Sequence, residues 1–174
     1  MSNTIVALFV IALMIIAALT WSQAAFSSFD SVSQSLKQMA QTTQEVNRTS
    51  ISILDAQKQG ANVEVAVHNS GEVRLAQFAD WDVLVQYYDA NDDYYIRRLT
   101  YTDNKNPEGN EWTVDTIYSD QGMTQEELFE PGILNQGEVA LLKLKLSPQP
   151  GNGSTNLVSI STFNGVNTSA QFQG

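Results

Sequence analysis

The chain has 174 residues, 43% of them hydrophobic, with no cysteine and a formal net charge of −10. A chain without cysteine forms no disulfide, runs no thiolate chemistry and holds no cysteine-ligated metal. Its acidic balance excludes a nucleic-acid binder built on basic patches.

The charge is unevenly placed. Residues 1–59 hold Asp30, Glu45 and Asp55 against Lys37, Arg48 and Lys58, so the whole excess falls on residues 60–174. Residues 4–19 read TIVALFVIALMIIAAL, without a charge. Beyond them the apolar positions thin to Phe26, Phe29, Val32, Leu36, Met39 and Val46, a spacing that keeps one helix face apolar. No glycine or proline occurs before Gly60. The pattern predicts one helix over residues 4–46, roughly 45 residues and about 65 Å long at 1.5 Å per residue. A bilayer core takes only about 20 residues. The helix outruns a membrane.

Three readings of this segment stand. A cleaved secretory signal is met by the small-x-small triplet Ser22-Gln23-Ala24, but the first basic residue is Lys37 and the apolar face continues past the triplet. A membrane anchor accounts for residues 4–20 and leaves the later stripe to a juxtamembrane coiled coil. In the third, favoured reading the helix packs against copies of itself in a polymer, through Ile5, Leu8, Phe9, Ala12, Leu13, Ile16 and Leu19 and then Phe26, Phe29, Leu36, Met39 and Val46. No charge precedes the apolar run, so Met1 is expected to be a processed start whose basic leader is gone.

The expected division is residues 1–49 for the helix and 50–174 for a head. The head reads as short strands between turn signals. Residues 51–54 and 63–67 flank a turn at 59–62, and His68-Asn69-Ser70-Gly71 is a second turn. Strands follow at 81–88 and 94–101 across the acidic turn 89–93, and at 112–118 with Trp112, Val114 and Thr116 on one face. Residues 120–137 hold a short acidic segment and the breakers Pro131-Gly132 and Gln136-Gly137. The strand at 139–146 points Lys143 and Lys145 outward, and 157–172 closes as a hairpin about Asn164-Gly165. Seven or eight such strands, with no long helical stretch, predict an immunoglobulin-like β-sandwich, so the class is α+β.

An uncharged N-terminal helix joined to a sandwich resembles the archaellin family, the type IV pilin-like filament subunits of the archaeal swimming organelle. The same plan occurs in that machine's envelope accessory proteins. Residues 65–71 (VAVHNSG), 131–138 (PGILNQGE) and 161–166 (STFNGV) are similar to stretches of the family's sandwich, in order and spacing. The helix departs from the archaellin pattern in opening Met1-Ser2-Asn3 and lacking glycine. Type IV pilins carry Glu at the fifth mature position; Ile5 stands here, which favours the archaellin side.

Catalysis is not expected. His68 is the one histidine, beside a turn, and reads as structural; no serine triad, phosphate loop or metal cluster can be assembled around it. Residues 89–93 (DANDD) begin like a calcium loop, but Tyr94 replaces the sixth-position glycine and Thr100 the twelfth-position glutamate, so a solvated hairpin turn is the better reading. Three Asn-x-Ser/Thr triplets, at Asn47, Asn152 and Asn167, are candidate N-glycosylation sites.

The sequence thus predicts a filament subunit, for motility or adhesion, held in the cytoplasmic membrane before assembly and extracellular after it. Its partners would be copies of itself, with no cofactor and no nucleic acid. Two rivals stand: a membrane-anchored accessory protein of the same machine whose sandwich binds a cell-envelope or surface-layer partner, and an unrelated membrane-anchored adhesive or solute-binding sandwich, for which the stripe from Phe26 to Val46 would be a spacer tolerant of polar substitution.

Overall fold

A computed structural model describes residues 2–174, in two compact units, Met1–Thr43 and Gln44–Gly174. The reading of Met1 as a processed start lies outside the described residues. Helix α1 runs Ser2–Arg48, 47 residues and about 70 Å. Nothing in that run breaks it: there is no glycine or proline, and Thr20 returns its hydroxyl proton to the Ala17 carbonyl at 2.9 Å. Its end is made by Thr49, whose N–H and hydroxyl both donate to the Glu45 carbonyl at 3.0 and 2.8 Å. These bonds occupy a carbonyl that the last helical turn leaves free. Arg48 puts a cation at the negative end of the helix dipole.

Eight strands form the head: β1 (Ile51–Gln59), β2 (Asn62–Asn69), β3 (Asp82–Tyr88), β4 (Tyr94–Tyr101), β5 (Glu111–Tyr118), β6 (Val139–Lys145), β7 (Thr155–Ser161) and β8 (Asn167–Gln173). One 3-10 turn, Phe78–Asp80, interrupts the connection between β2 and β3. The order is β1-β2-β6-β5 in one antiparallel sheet and β4-β3-β7-β8 in the other. The two sheets join where Thr100 and Tyr101 pair in parallel with Glu111 and Trp112. At the far margin β1 lies beside β8, so the sandwich is nearly closed. The α+β reading, a long apolar helix followed by a β-sandwich, holds.

The core follows from strand alternation. Val63, Val65 and Val67 of β2, Val83 and Val85 of β3, Trp112 of β5, Leu142 and Leu144 of β6, and Val158 and Ile160 of β7 are all completely buried. Two departures from simple alternation matter. In β5 a bulge at Asp115 makes Val114 face Leu142 and Thr116 face Leu141, so Ile117, and not Thr116, returns to the core. In β1 a bulge at Leu54 turns that residue outward.

The margins of the sheets are treated differently. Along β5, Lys105 Nζ donates to the Val114 carbonyl at 2.8 Å and to the Asp115 carbonyl, and the Glu127 N–H takes the Ile117 carbonyl at 2.8 Å. Along β4, Thr100 N–H points toward β5 and donates to the Asn110 carbonyl at 3.0 Å. Strand alternation then aims the peptide groups of Ile96 and Arg98 at the same open side. Arg97 sits on the core side of β4, half-buried, its guanidinium 5.0 Å from the centre of the Tyr95 ring.

Candidate functional site

The helix face was the leading candidate from sequence. Ile5, Leu8, Phe9, Ala12, Leu13, Ile16, Leu19, Phe26, Phe29, Leu36 and Met39 are exposed in the single chain, Phe29 to 73%, and Val46 is half-buried. Ile5–Gln23 is long and apolar enough to cross a membrane. The exposed stripe runs on for four more turns beyond Gln23, to Met39.

A second constellation lies at the start of the head, where sequence reading placed only a turn. Strand β2 extends through His68 to Asn69, because both peptide groups of Asn69 are engaged: its N–H by the Glu138 carbonyl at 3.0 Å and its C=O by the Gly137 N–H at 2.8 Å. The Asn69 side chain is fully buried; its amide donates to the carbonyls of Val73 and Leu134 at 2.8 and 3.0 Å, while its oxygen accepts from the Gly71 N–H at 3.1 Å. Gly71 in turn lies against residues 48–50, where an added Cβ would meet the Ser50 nitrogen at 2.4 Å and the Arg48 carbonyl oxygen at 2.6 Å. From the other side Asn164 donates to Thr49 Oγ1 at 2.7 Å. Arg48 is further held by an ion pair with Glu72 at 2.9 Å. Residues 65–71, 131–138 and 161–166 therefore form one network around residues 48–50.

The remaining candidates are turn chemistry. Asp89 Oδ1 accepts from the N–H groups of Asn91 and Asp93 at 2.8 and 3.0 Å, so its carboxylate closes the β3–β4 hairpin. Among the described residues no group of three His, Asp or Glu side chains is placed to hold a metal. His68 is buried, with Nε2 3.0 Å from the Gln121 amide nitrogen and Nδ1 3.5 Å from Ser52 Oγ, which fastens the loop after β5 to the outer face of the sheet. A hollow of about 320 Å³ lies along the β5 edge, bounded by Tyr101, Asp103, Lys105, Glu126 and Glu127. Burial, together with the Asp103 carboxylate that accepts its proton at 2.8 Å, pushes the Tyr101 phenol up to about 12. Asn47, Asn152 and Asn167 are all exposed; Asn152 Oδ1 accepts from Lys58 Nζ at 2.8 Å.

Sequence reading missed the display of residues 126–130. The short acidic segment between β5 and β6 is an extended loop that leaves Leu128 77% and Phe129 94% exposed. The available signal was two large apolar residues set between carboxylates just before Pro131-Gly132.

The whole chain is similar to the archaeal flagellum of Methanospirillum hungatei strain JF1, with a TM-score of 0.58 at 12% identity over 95% of this chain and 89% of that one. The archaellum periplasmic stator protein FlaG from Sulfolobus acidocaldarius gives a TM-score of 0.50 at 21% identity, over 71% of this chain and 99% of that one. This is the archaellum fold. The likeness to archaellins read from the sequence holds at the level of the fold. No protein-family model and no curated protein matches the chain.

Proposed function

We propose that the chain is a structural subunit of an archaellum-like surface filament, assembled by packing α1 against the α1 helices of other copies. The observation that carries this reading is the apolar stripe beyond the membrane span. Phe26, Phe29, Val32, Leu36 and Met39 are exposed in the single chain, and a bilayer has no use for them. Burying each such side chain is worth about 1.5–3 kcal/mol, so five of them supply a strong drive to associate. Ile5–Gln23 would sit in the cytoplasmic membrane before assembly and pass to an equally apolar protein environment after it. A likeness that spans α1 as well as the head, to a flagellum, supports the same reading. The subunit would carry glycans on its head at Asn152 and Asn167 and at the end of α1 at Asn47, a modification that mass spectrometry of tryptic peptides detects.

A second reading is supported by the likeness that takes in 71% of this chain and 99% of a stator protein's structure. In it the chain is an envelope-anchored accessory protein at low copy number, and the sandwich binds another envelope protein. Electron microscopy of material sheared from the cell surface, with N-terminal sequencing of its main protein, separates the two. Filaments composed mainly of this chain support the subunit. The chain retained in the membrane fraction at low copy number overturns it.

A further inference from the structure

We propose that residues 126–130 of one copy dock into a lysine-lined hollow on the head of the next. The inference rests on the polymer reading and specifies one of its contacts. The docking element is a braced finger. The Glu127 N–H is fixed to the Ile117 carbonyl at 2.8 Å, and Glu127 Oε1 accepts from the N–H groups of Phe129 and Glu130 at 2.6 and 3.1 Å. Arg74 holds the Glu130 carboxylate at 2.6 Å. Leu128 and Phe129 thus stand on a backbone anchored at both flanks, and docking them costs little ordering entropy. Exposed aromatic anchors of this kind are what interfaces bury at their centres.

The finger is rimmed by Glu126, Glu127 and Glu130, so its socket must be basic. Such a socket exists on the same head. A hollow of about 230 Å³ is lined by Lys105, Lys143 and Lys145, by the amides of Gln59, Asn62 and Asn106, and by Pro107, with Glu64 as its one carboxylate. Residues 60–174 contain six cations (Arg74, Arg97, Arg98, Lys105, Lys143 and Lys145), and three of them line this hollow, Lys105 by its stem with its Nζ on the Val114 and Asp115 carbonyls and Lys145 with no ion pair of its own among the described residues. Lys143 is ion-paired with Asp115 at 3.0 Å, which holds its stem along the wall. Lysine stems offer apolar surface beneath their charges, and charge complementarity sets the register of docking.

Position makes the contact propagate. The finger is tied to β5 at Ile117, near one end of the strand, whereas the hollow lies toward the other, where Thr113 and Glu111 face Lys143 and Lys145. Finger and hollow therefore occupy opposite ends of one strand pair. A contact between two such unlike patches is heterologous, and when its rotation does not close a ring it adds copies in a line.

The native chain has no cysteine, so a disulfide can report the contact. The full-length double variant Gln125→Cys with Asn106→Cys, which leaves Leu128 and Phe129 in place and is oxidised under the conditions in which the chain assembles, should give a ladder reaching tetramers and beyond. Either single variant should stop at dimers. Glu126→Lys should cut the ladder roughly tenfold, and adding Lys145→Glu should restore it. Filaments seen by electron microscopy without a ladder overturn this contact and leave the polymer reading standing. Absence of both overturns the two together. A ladder that the charge swap fails to restore overturns the assignment of the socket.

Discussion

Gly71 shows how one residue can be required for space rather than for backbone angle. Its Cα faces the backbone of residues 48–50, and an added methyl would meet the Ser50 nitrogen and the Arg48 carbonyl within 2.6 Å. Both obstacles are backbone, and both belong to the network that closes the helix end. We expect Gly71→Ala to destabilise the head by about 1–3 kcal/mol, read as a lower urea midpoint in the tryptophan fluorescence of the full chain in detergent. Tyr101 makes a prediction at high pH. Its phenol is raised from 10.0 to about 12, so the folded head holds a proton that the unfolded chain releases. The stability this contributes is complete below pH 10 and is lost as pH rises through about 12. Tyr101→Phe should flatten that alkaline decline in urea midpoints between pH 10 and 12. Sequence marks position 71 as a turn glycine and goes no further, because the atoms that exclude a side chain come from residues 48–50.

At the scale of elements, all eight strands were legible, since each alternates or runs apolar between turn signals. The side chains within them were less so. A bulge costs one residue of register and inverts the face of everything after it; this is why Thr116 reads as inward while Ile117 is the buried residue. Loops were least legible, because their bonds are local but their anchors are distant. The segment between β5 and β6 is held by two carboxylates. Asp120 accepts from the N–H groups of Gln125 and Thr124 at 2.8 and 3.0 Å, and Glu127 from those of Phe129 and Glu130. These bonds, that from Gln125 foremost for Asp120 and that from Phe129 for Glu127, hold both carboxyls below their ordinary values of 3.8 and 4.5. A depressed folded value means the bracing is complete above those ordinary values and is lost as pH falls through the lower, folded ones. Hydrogen exchange should show the Gln125 and Phe129 amides protected at pH 5 and progressively exposed on acidification below pH 3.8, relative to strand amides. Glu127→Ala should expose Phe129 and Glu130 at every pH.

For the molecule as a whole, the division of labour was written in composition. The neutral N-terminal third contrasts with an acidic remainder, and the apolar spacing alone was enough to foresee a helix ending near residue 46, two residues short of Arg48. On the proposed reading that helix is covered by other copies, so the sharpest prediction belongs here. Phe29→Ser combined with Leu36→Ser leaves Ile5–Gln23 intact and removes two of the exposed apolar groups beyond it. Membrane insertion should be unchanged in fractionation, while filament yield should fall by an order of magnitude or more, as expected from roughly 3–6 kcal/mol of lost burial per subunit.

The guarded margins of the sandwich bear on a different hazard. Open strand edges recruit one another, and in the proposed filament a head displayed in many copies at close range would be exposed to that reaction throughout its life. On β5 the open carbonyls are occupied by Lys105 and by Glu127 N–H, so an incoming strand finds no acceptor there. On β4 the Ile96 and Arg98 peptide groups remain open, but Arg97 points a cation back toward the core side, a placement that penalises burial beneath a second sheet. In the proposed filament, this treatment of the two margins disfavours strand exchange between neighbouring heads.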